Sequence, residues 1–120
     1  MTIYALSPGP GVAGIAIIRI SGSDVLRVIK SLTGKEIPKP RMATLRKINY
    51  INTSELIDEG IILWFPGPES YTGEDMAEIH IHGGKAGILA VQNEISKIKN
   101  CRLAEPGEFT KLAFQNGKIN

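Results

Sequence analysis

Thiol chemistry is almost absent from this sequence, whose 120 residues contain one cysteine, Cys101. A single thiol excludes an internal disulfide framework and suits a reducing compartment. Cys101 itself reads as an apolar filler on a strand rather than as a reactive group. Long hydrophobic runs are missing as well: no stretch approaches the roughly 20 apolar residues that cross a bilayer, and the N-terminus lacks a basic region followed by an apolar one. The expectation is a cytoplasmic chain with no membrane partner. Charge of one sign is scarce. The formal net charge is +2, with neither a long basic run nor an Arg-rich helix, which argues against strong nucleic-acid binding by this chain alone. A nucleotide-hydrolysing loop is also lacking. The segment Ser7 to Gly14, SPGPGVAG, has glycines that would let backbone approach a phosphate, yet it matches neither GxxxxGK[ST] nor GxGxxG, and a tight connection between strands is its plainer reading. Lys85 follows Gly83 and Gly84 without a glycine at the required distance upstream, and Ala86 stands where Ser or Thr is needed. No internal repeat, low-complexity tract or linker divides the chain.

What is present suits one compact domain over residues 1–120, 42% hydrophobic and 22% charged, with enough apolar side chain for a core. Thr2 to Leu6 and Ile15 to Ser21 are β-prone and flank the glycine-rich loop. Val25, Val28, Ile29 and Leu32 fall at helical spacing, with Ser23 as the expected N-cap and Gly34 as the stop. Ala43 to Ile51 and Glu59 to Phe65 read as paired strands joined by the polar stretch Asn52 to Asp58. Ile88, Val91, Ile95 and Ile98 make one helical stripe, with Lys97 and Lys99 near the end where the helix dipole favours cations. Cys101 to Ala104 reads as a last strand, and Pro106 to Asn116 as a final short helix. Strands and helices interleave without strict βαβ order, which predicts an α+β fold: a mixed sheet with helices packed against it.

The densest chemistry lies in Ser70 to Gly84, SYTGEDMAEIHIHGG. Pro66, Gly67, Pro68 and Gly73 break regular structure and leave a loop rich in hydroxyls and carboxylates. From Met76 to His82 the residues alternate, so Ala77, Ile79 and Ile81 share one face of a strand while Glu78, His80 and His82 share the other. That second face resembles a metal constellation superficially, but no third imidazole or thiolate is at hand, and a hydrogen-bonded strand face is the simpler account. His82, before Gly83 and Gly84, is expected to hydrogen-bond the turn into the next helix. Arg19, Glu78 and Lys118 stand out because their settings look least like accidental surface: the first two are embedded in apolar strands, and the third follows the breaker Asn116-Gly117. A structural salt bridge between Arg19 and Glu78 is one reading. The other is a pocket in which the carboxylate takes the paired N–H donors of a heterocycle while the cations meet an anionic tail or a carbonyl.

The blocks TIYALSPGPGVAGIAIIRISG, LWFPGPESYTGEDMAEIHIHGG and RLAEPGEFTKLAFQNGKIN together resemble the N-terminal domain of the tRNA modification GTPases MnmE, also called TrmE, over essentially the whole chain. The resemblance implies a fold similar to the folate-binding fold of the glycine-cleavage T-protein, and homodimerisation through this domain. It implies that 5-formyltetrahydrofolate or 5,10-methylenetetrahydrofolate is bound through Arg19, Glu78 and Lys118, with the Ser7 to Gly14 and Ser70 to Asp75 loops as the rim. It names no catalytic residue and no metal ligand in this stretch. It further implies partnership with MnmG in a heterotetramer that adds a carboxymethylaminomethyl or aminomethyl group at C5 of the wobble uridine in certain tRNAs. Helical and GTPase domains follow in the family, so GTP, Mg²⁺ and K⁺ belong outside these residues, and the chain is expected to be a fragment of such a protein, itself of uncertain enzyme status. His80 is given no role. Two other functions remain in view: an assembly domain without folate binding, and a free-standing one-carbon transferase, which is weakened by the lack of a positioned nucleophile.

Overall fold

The computed structural model describes residues 1–7 and 14–119. Most of the Ser7 to Gly14 loop, residues 8–13, lies outside the described residues, and so does its expected place in a rim. The elements run β1 (Thr2–Leu6), β2 (Ile15–Ser21), α1 (Val25–Thr33), β3 (Thr44–Asn49), β4 (Leu56–Phe65), β5 (Met76–His82), α2 (Lys85–Ser96), β6 (Cys101–Leu103) and α3 (Glu108–Gln115). The strands form one six-stranded sheet in the order β3-β4-β5-β2-β1-β6. Every neighbouring pair is antiparallel except β1 and β6, which run parallel. The fold is therefore α+β with a mixed sheet, as the patterning predicts.

One face of the sheet is covered. Tyr4, Ile18, Ile20, Ile62, Ala77, Ile79 and Ile81 pack with Val25, Val28, Ile29 and Leu32 of α1 and with Val91 and Ile95 of α2 in a single buried cluster. Burying each such aliphatic side chain contributes about 1.5–3 kcal/mol. Ile88 packs against this cluster from the partly exposed margin of α2, Ile98 does so from the turn beyond the helix end at Ser96 rather than from the helix as expected, and Cys101 packs there as the small apolar group expected, with burial raising its thiol pKa.

Several boundaries differ from the pattern-based ones for local reasons. The N-cap of α1 is Asp24 rather than Ser23, and its carboxylate is occupied elsewhere: it accepts from Thr2 Oγ1 at 3.2 Å and pairs with Arg27 at 3.1 Å. Asp24 N–H in turn donates to Thr2 Oγ1, so the helix start is sewn to β1. Gly34 ends α1 in the left-handed conformation at φ 64°, as a C-terminal glycine does. Strand β4 begins at Leu56, inside the stretch that reads as a polar connection, because Leu56 and Asp58 still find partners on β3, opposite Asn49 and Ile48, with a register shift between them. Lys97 is the C-cap of α2, and its ammonium pairs with Glu94 at 2.6 Å rather than standing free at the dipole. No helix of the described residues is long and apolar enough to cross a membrane.

Candidate functional site

The second face of the sheet carries the chemistry. In the β2–β5 ladder Arg19 stands opposite Glu78, Ile17 opposite His80 and Ser21 opposite Met76. Going along this face, the Ser21 end is closed: Ile3, Ser21 and Met76 are buried beside one another. The far end, at Ile15 and His82, is exposed. Arg19 and Glu78 lie where the cover stops, with side chains 36% and 22% exposed.

The cover is the loop between β4 and β5, and its polar residues hold it in place. Thr72 and Ser21, both fully buried, share a hydroxyl–hydroxyl bond of 2.8 Å, and the Ser21 hydroxyl donates to Glu74 Oε1 at 3.0 Å. Asp75 Oδ1 accepts from Gly67 N–H at 2.9 Å. The two acids of SYTGED are thus used to build the loop. Asn116 Nδ2 donates to the Thr72 carbonyl at 2.7 Å and ties the loop to the turn after α3. Gly73, at φ +85°, sits so close to that turn that an added Cβ would lie 2.9 Å from Asn116 Cβ and 3.4 Å from Lys118 Cε.

Arg19 and Glu78 are brought together as cross-strand partners, but the ion pair is loose, with Arg19 Nε 3.7 Å from Glu78 Oε2. The expected salt bridge is therefore present at the edge of contact distance. Arg19 Nε is buried and has no hydrogen-bond partner. Glu78 Oε1 is met instead by His80 Nε2 at 2.9 Å, leaving Oε2 with the long contact alone. The guanidinium lies over the Tyr71 ring, 5.7 Å from its centroid, within cation–π range. Lys118 is exposed, and its backbone N–H donates to the Ala113 carbonyl at 2.8 Å. It stands against Gly73 on the rim loop and lines neither of the cavities described next.

Arg19, Phe65, Tyr71, Met76 and Glu78 line a small cavity of about 120 Å³. A larger one of about 470 Å³ lies between the C-terminal ends of β1 and β6 and the start of α3, walled by Ala5, Leu6, Leu103, Ala104 and Phe109 among others. Arg19 and Tyr71 line both. Tyr71 is half-exposed, and its hydroxyl lies 3.4 Å from Thr110 Oγ1 on α3, so the ring spans from loop to helix.

His82 does not serve the turn into α2. Its Nδ1 is 2.9 Å from Asp58 Oδ1 on β4, and its backbone N–H donates to Asp58 Oδ2 at 2.9 Å. Burial would raise the Asp58 pKa, but the His82 ring, the His82 N–H and the Glu59 N–H together hold it below the ordinary value. The alternating acid and histidines therefore split into a Glu78–His80 pair and an Asp58–His82 pair. Among the described residues no group of three or more His, Cys, Asp or Glu side chains converges as a metal site.

Two residues of this site were not singled out by sequence pattern. Tyr71 stands in a turn, where no periodicity marks an aromatic. His80 was passed over, although it stands two residues from Glu78 on the same strand face, and that spacing alone places the two side by side.

The described residues thus form a mixed sheet with one face packed under α1 and α2 and a second, partly open face on which a loop and α3 border a polar pair. The family model described as the N-terminus of the GTP-binding protein TrmE matches residues 2–118, and the chain belongs to that family. It is 78% identical over 120 residues to the tRNA modification GTPase MnmE of Pelagibacter ubique strain HTCC1062, covering 100% of this chain and 27% of that protein. It is 48% identical over 119 residues to the mitochondrial 5-taurinomethyluridine-[tRNA] synthase subunit GTPB3 of Danio rerio, covering 99% of this chain and 24% of that one. The MnmE of Parvibaculum lavamentivorans is 44% identical over 119 residues, covering 99% of this chain and 27% of that protein. The chain spans about a quarter of the length of these curated relatives.

Proposed function

We propose that this chain is the folate-binding and dimerisation module of a cytoplasmic tRNA-modifying GTPase. Its whole protein would work with MnmG on C5 of the wobble uridine, and GTP, Mg²⁺ and K⁺ would act outside these residues. The observation that carries the folate reading is the pairing of Glu78 with Arg19 in a concave site. There a half-buried carboxylate faces a cavity with one oxygen lightly engaged, next to a buried guanidinium Nε–H that lacks an acceptor. A carboxylate so placed suits the ring N–H and exocyclic amine of a pterin, a bidentate, charge-assisted contact on the order of 1.5–3 kcal/mol. The ligand would be 5-formyltetrahydrofolate or 5,10-methylenetetrahydrofolate. Lys118, on the rim against Gly73, would reach the anionic part of the ligand from outside the two cavities. The half-buried Ile17, Ile61 and Leu63 on the open sheet face support pairing with a second copy.

Titration calorimetry of 5-formyltetrahydrofolate into the wild-type chain and Glu78→Ala tests this reading. Binding weakened about tenfold or more by the substitution supports it, and equal affinity in both sinks it. Light scattering after gel filtration, run beside the titration, separates the module from a bare assembly domain, which would be dimeric and would not bind folate.

A further inference from the structure

The two edges of the sheet are finished differently. At one edge β6 has only three residues, and its Arg102 is engaged by Glu108 of α3. At the other β3 has six residues and pairs only with β4, so one side of its backbone has no strand beside it among the described residues. A groove of about 530 Å³ lies there, walled by Thr33, Lys35 and Glu36 from the end of α1 onward, by Arg46 and Lys47 of β3, and by Glu59 of β4. The strand itself, TLRKIN, carries two cations and no acid. Arg46 alternates with Ile48, a member of the buried cluster, so it leans over the helix-covered face, while Leu45 and Lys47 stand on the open one. No ion pair among the described residues includes Lys35, Arg46 or Lys47. Arg46 Nη1 donates only to the carbonyl of its neighbour Leu45, at 3.1 Å, and Arg46 Nε is buried without an acceptor.

We infer that the free edge of β3 receives an extended segment of a partner protein as a seventh strand, and that this segment carries two consecutive acidic residues. An edge strand offers its main-chain donors and acceptors to any strand laid along it, and the side chains then decide which strand fits. An added strand about 4.8 Å away has its side chains beside those of β3, with successive ones on opposite faces. Two acids in succession therefore meet Arg46 on the covered face and Lys47 on the open one. Lys35 lies in the same groove, and Glu59, opposite Lys47 on β4, is one strand further from the newcomer. A second copy of β3 does not suit the place, because antiparallel pairing about its centre sets Arg46 and Lys47 against the same two cations. Lysine on an edge can also serve only to keep edges apart. Arg46 does not suit that role: a guanidinium kept for solubility would spread into water, whereas this one is half-buried with no acid beside it. Leu45, 58% exposed on the open face, gives an apolar residue of the added strand something to cover.

Amide NMR of the chain, titrated with a β-prone peptide centred on Glu-Glu and with the same peptide centred on Lys-Lys, tests the assignment. The Glu-Glu peptide should shift the amides of Thr44 to Asn49 and bind roughly tenfold or more tighter than the Lys-Lys one, a gap that narrows as salt is added. Methylating every second backbone nitrogen of the Glu-Glu peptide, on the side that would meet β3, should abolish binding while the charges stay. Lys47→Glu should bring the ratio between the two peptides near one, and Arg46→Gln should reduce it. If Arg46→Gln does not fold, Lys47→Glu, at an exposed and unpaired position, carries the test alone. Equal affinity for the two peptides, indifference to methylation, shifts confined to another part of the sheet, or no binding at all overturns the inference. Protection of the β3 amides that arises without peptide and grows with protein concentration overturns it in favour of a second copy.

Discussion

On strands β2 and β5 a step of one residue separates two environments. Ile18 and Ile79 face each other, fully buried, under α1 and α2. Arg19 and Glu78, the next pair, face each other on the other side of the same sheet, partly exposed and bordering two cavities. The covered face is held by area and packing. The open face is held by directed bonds at one end, where Ser21, Thr72 and Glu74 fasten the loop. The sheet thus serves as a rigid wall whose back is stabilised independently of its front, and polar groups on the front can keep imperfect partners, as Arg19 Nε does, without the fold depending on them.

The sharpest way to break this contrast is truncation on the two faces. Ile79→Ala opens a cavity in the buried cluster and should cost about 2–5 kcal/mol, read as a lower urea midpoint at unchanged slope. Ile17→Ala, on the open face of the neighbouring strand, should cost less than about 1 kcal/mol in the monomer. Equal costs measured at a protein concentration too low for self-association would show that the open face is as packed as the covered one.

A smaller effect tests how closely the strands are laid together. Gly60 on β4 approaches β5 so tightly that an added Cβ would stand 2.0 Å from the His80 carbonyl oxygen. Backbone there has to move, so Gly60→Ala should destabilise by about 1–3 kcal/mol. Because the displaced carbonyl belongs to His80, the substitution should also disturb the ring that holds Glu78 Oε1, and under the proposed folate reading the affinity should fall with stability. Unchanged thermal stability in Gly60→Ala would mean that the β4–β5 spacing is not under this constraint.

The covered face was legible in the sequence because alternation and helical spacing are single-residue signals. Ala77, Ile79 and Ile81, and Ile88, Val91 and Ile95 of the stripe, are found where their periods place them, whereas Ile98 packs on the core from the turn after α2. The same alternation brought Glu78 and His80 to one side. Arg19 and Glu78 could be picked as polar interruptions of apolar strands, yet their direct opposition depends on the β2–β5 register, which no local pattern fixes. Ser23 was a fair N-cap by residue type, and Asp24 took the place because Thr2, far away in sequence, holds it. The SYTGED loop reads as a rim rich in hydroxyls and carboxylates, and Glu74 and Asp75 brace it, Asp75 through Gly67 of the same loop and Glu74 through Ser21 on β2, a partner that no local pattern reveals. Lys118 could be flagged beside a breaker, but its place against Gly73 follows from how α3 packs.

Glu94 gives the finest test, since it is a charge on the covered side of the molecule. It is 2% exposed, accepts from Ile51 N–H at 2.9 Å and pairs with Lys97 at 2.6 Å. The Lys97 ammonium first, and the Ile51 N–H next, hold its carboxyl pKa below the ordinary value against the opposing effect of burial. A carboxyl depressed on folding contributes stability that is fully present above its unfolded pKa and is lost as pH falls through its folded one. Urea unfolding of wild type and Glu94→Gln between pH 7 and pH 3 should therefore show a wild-type advantage of about 1 kcal/mol near neutrality that shrinks toward acid, because the glutamine keeps an acceptor for Ile51 but not the charge for Lys97. An advantage that grows as the pH falls would mean that burial, and not the Lys97 and Ile51 contacts, governs this carboxyl, and the buried acid would then be a cost to the covered face rather than a fastening for the β3–β4 turn.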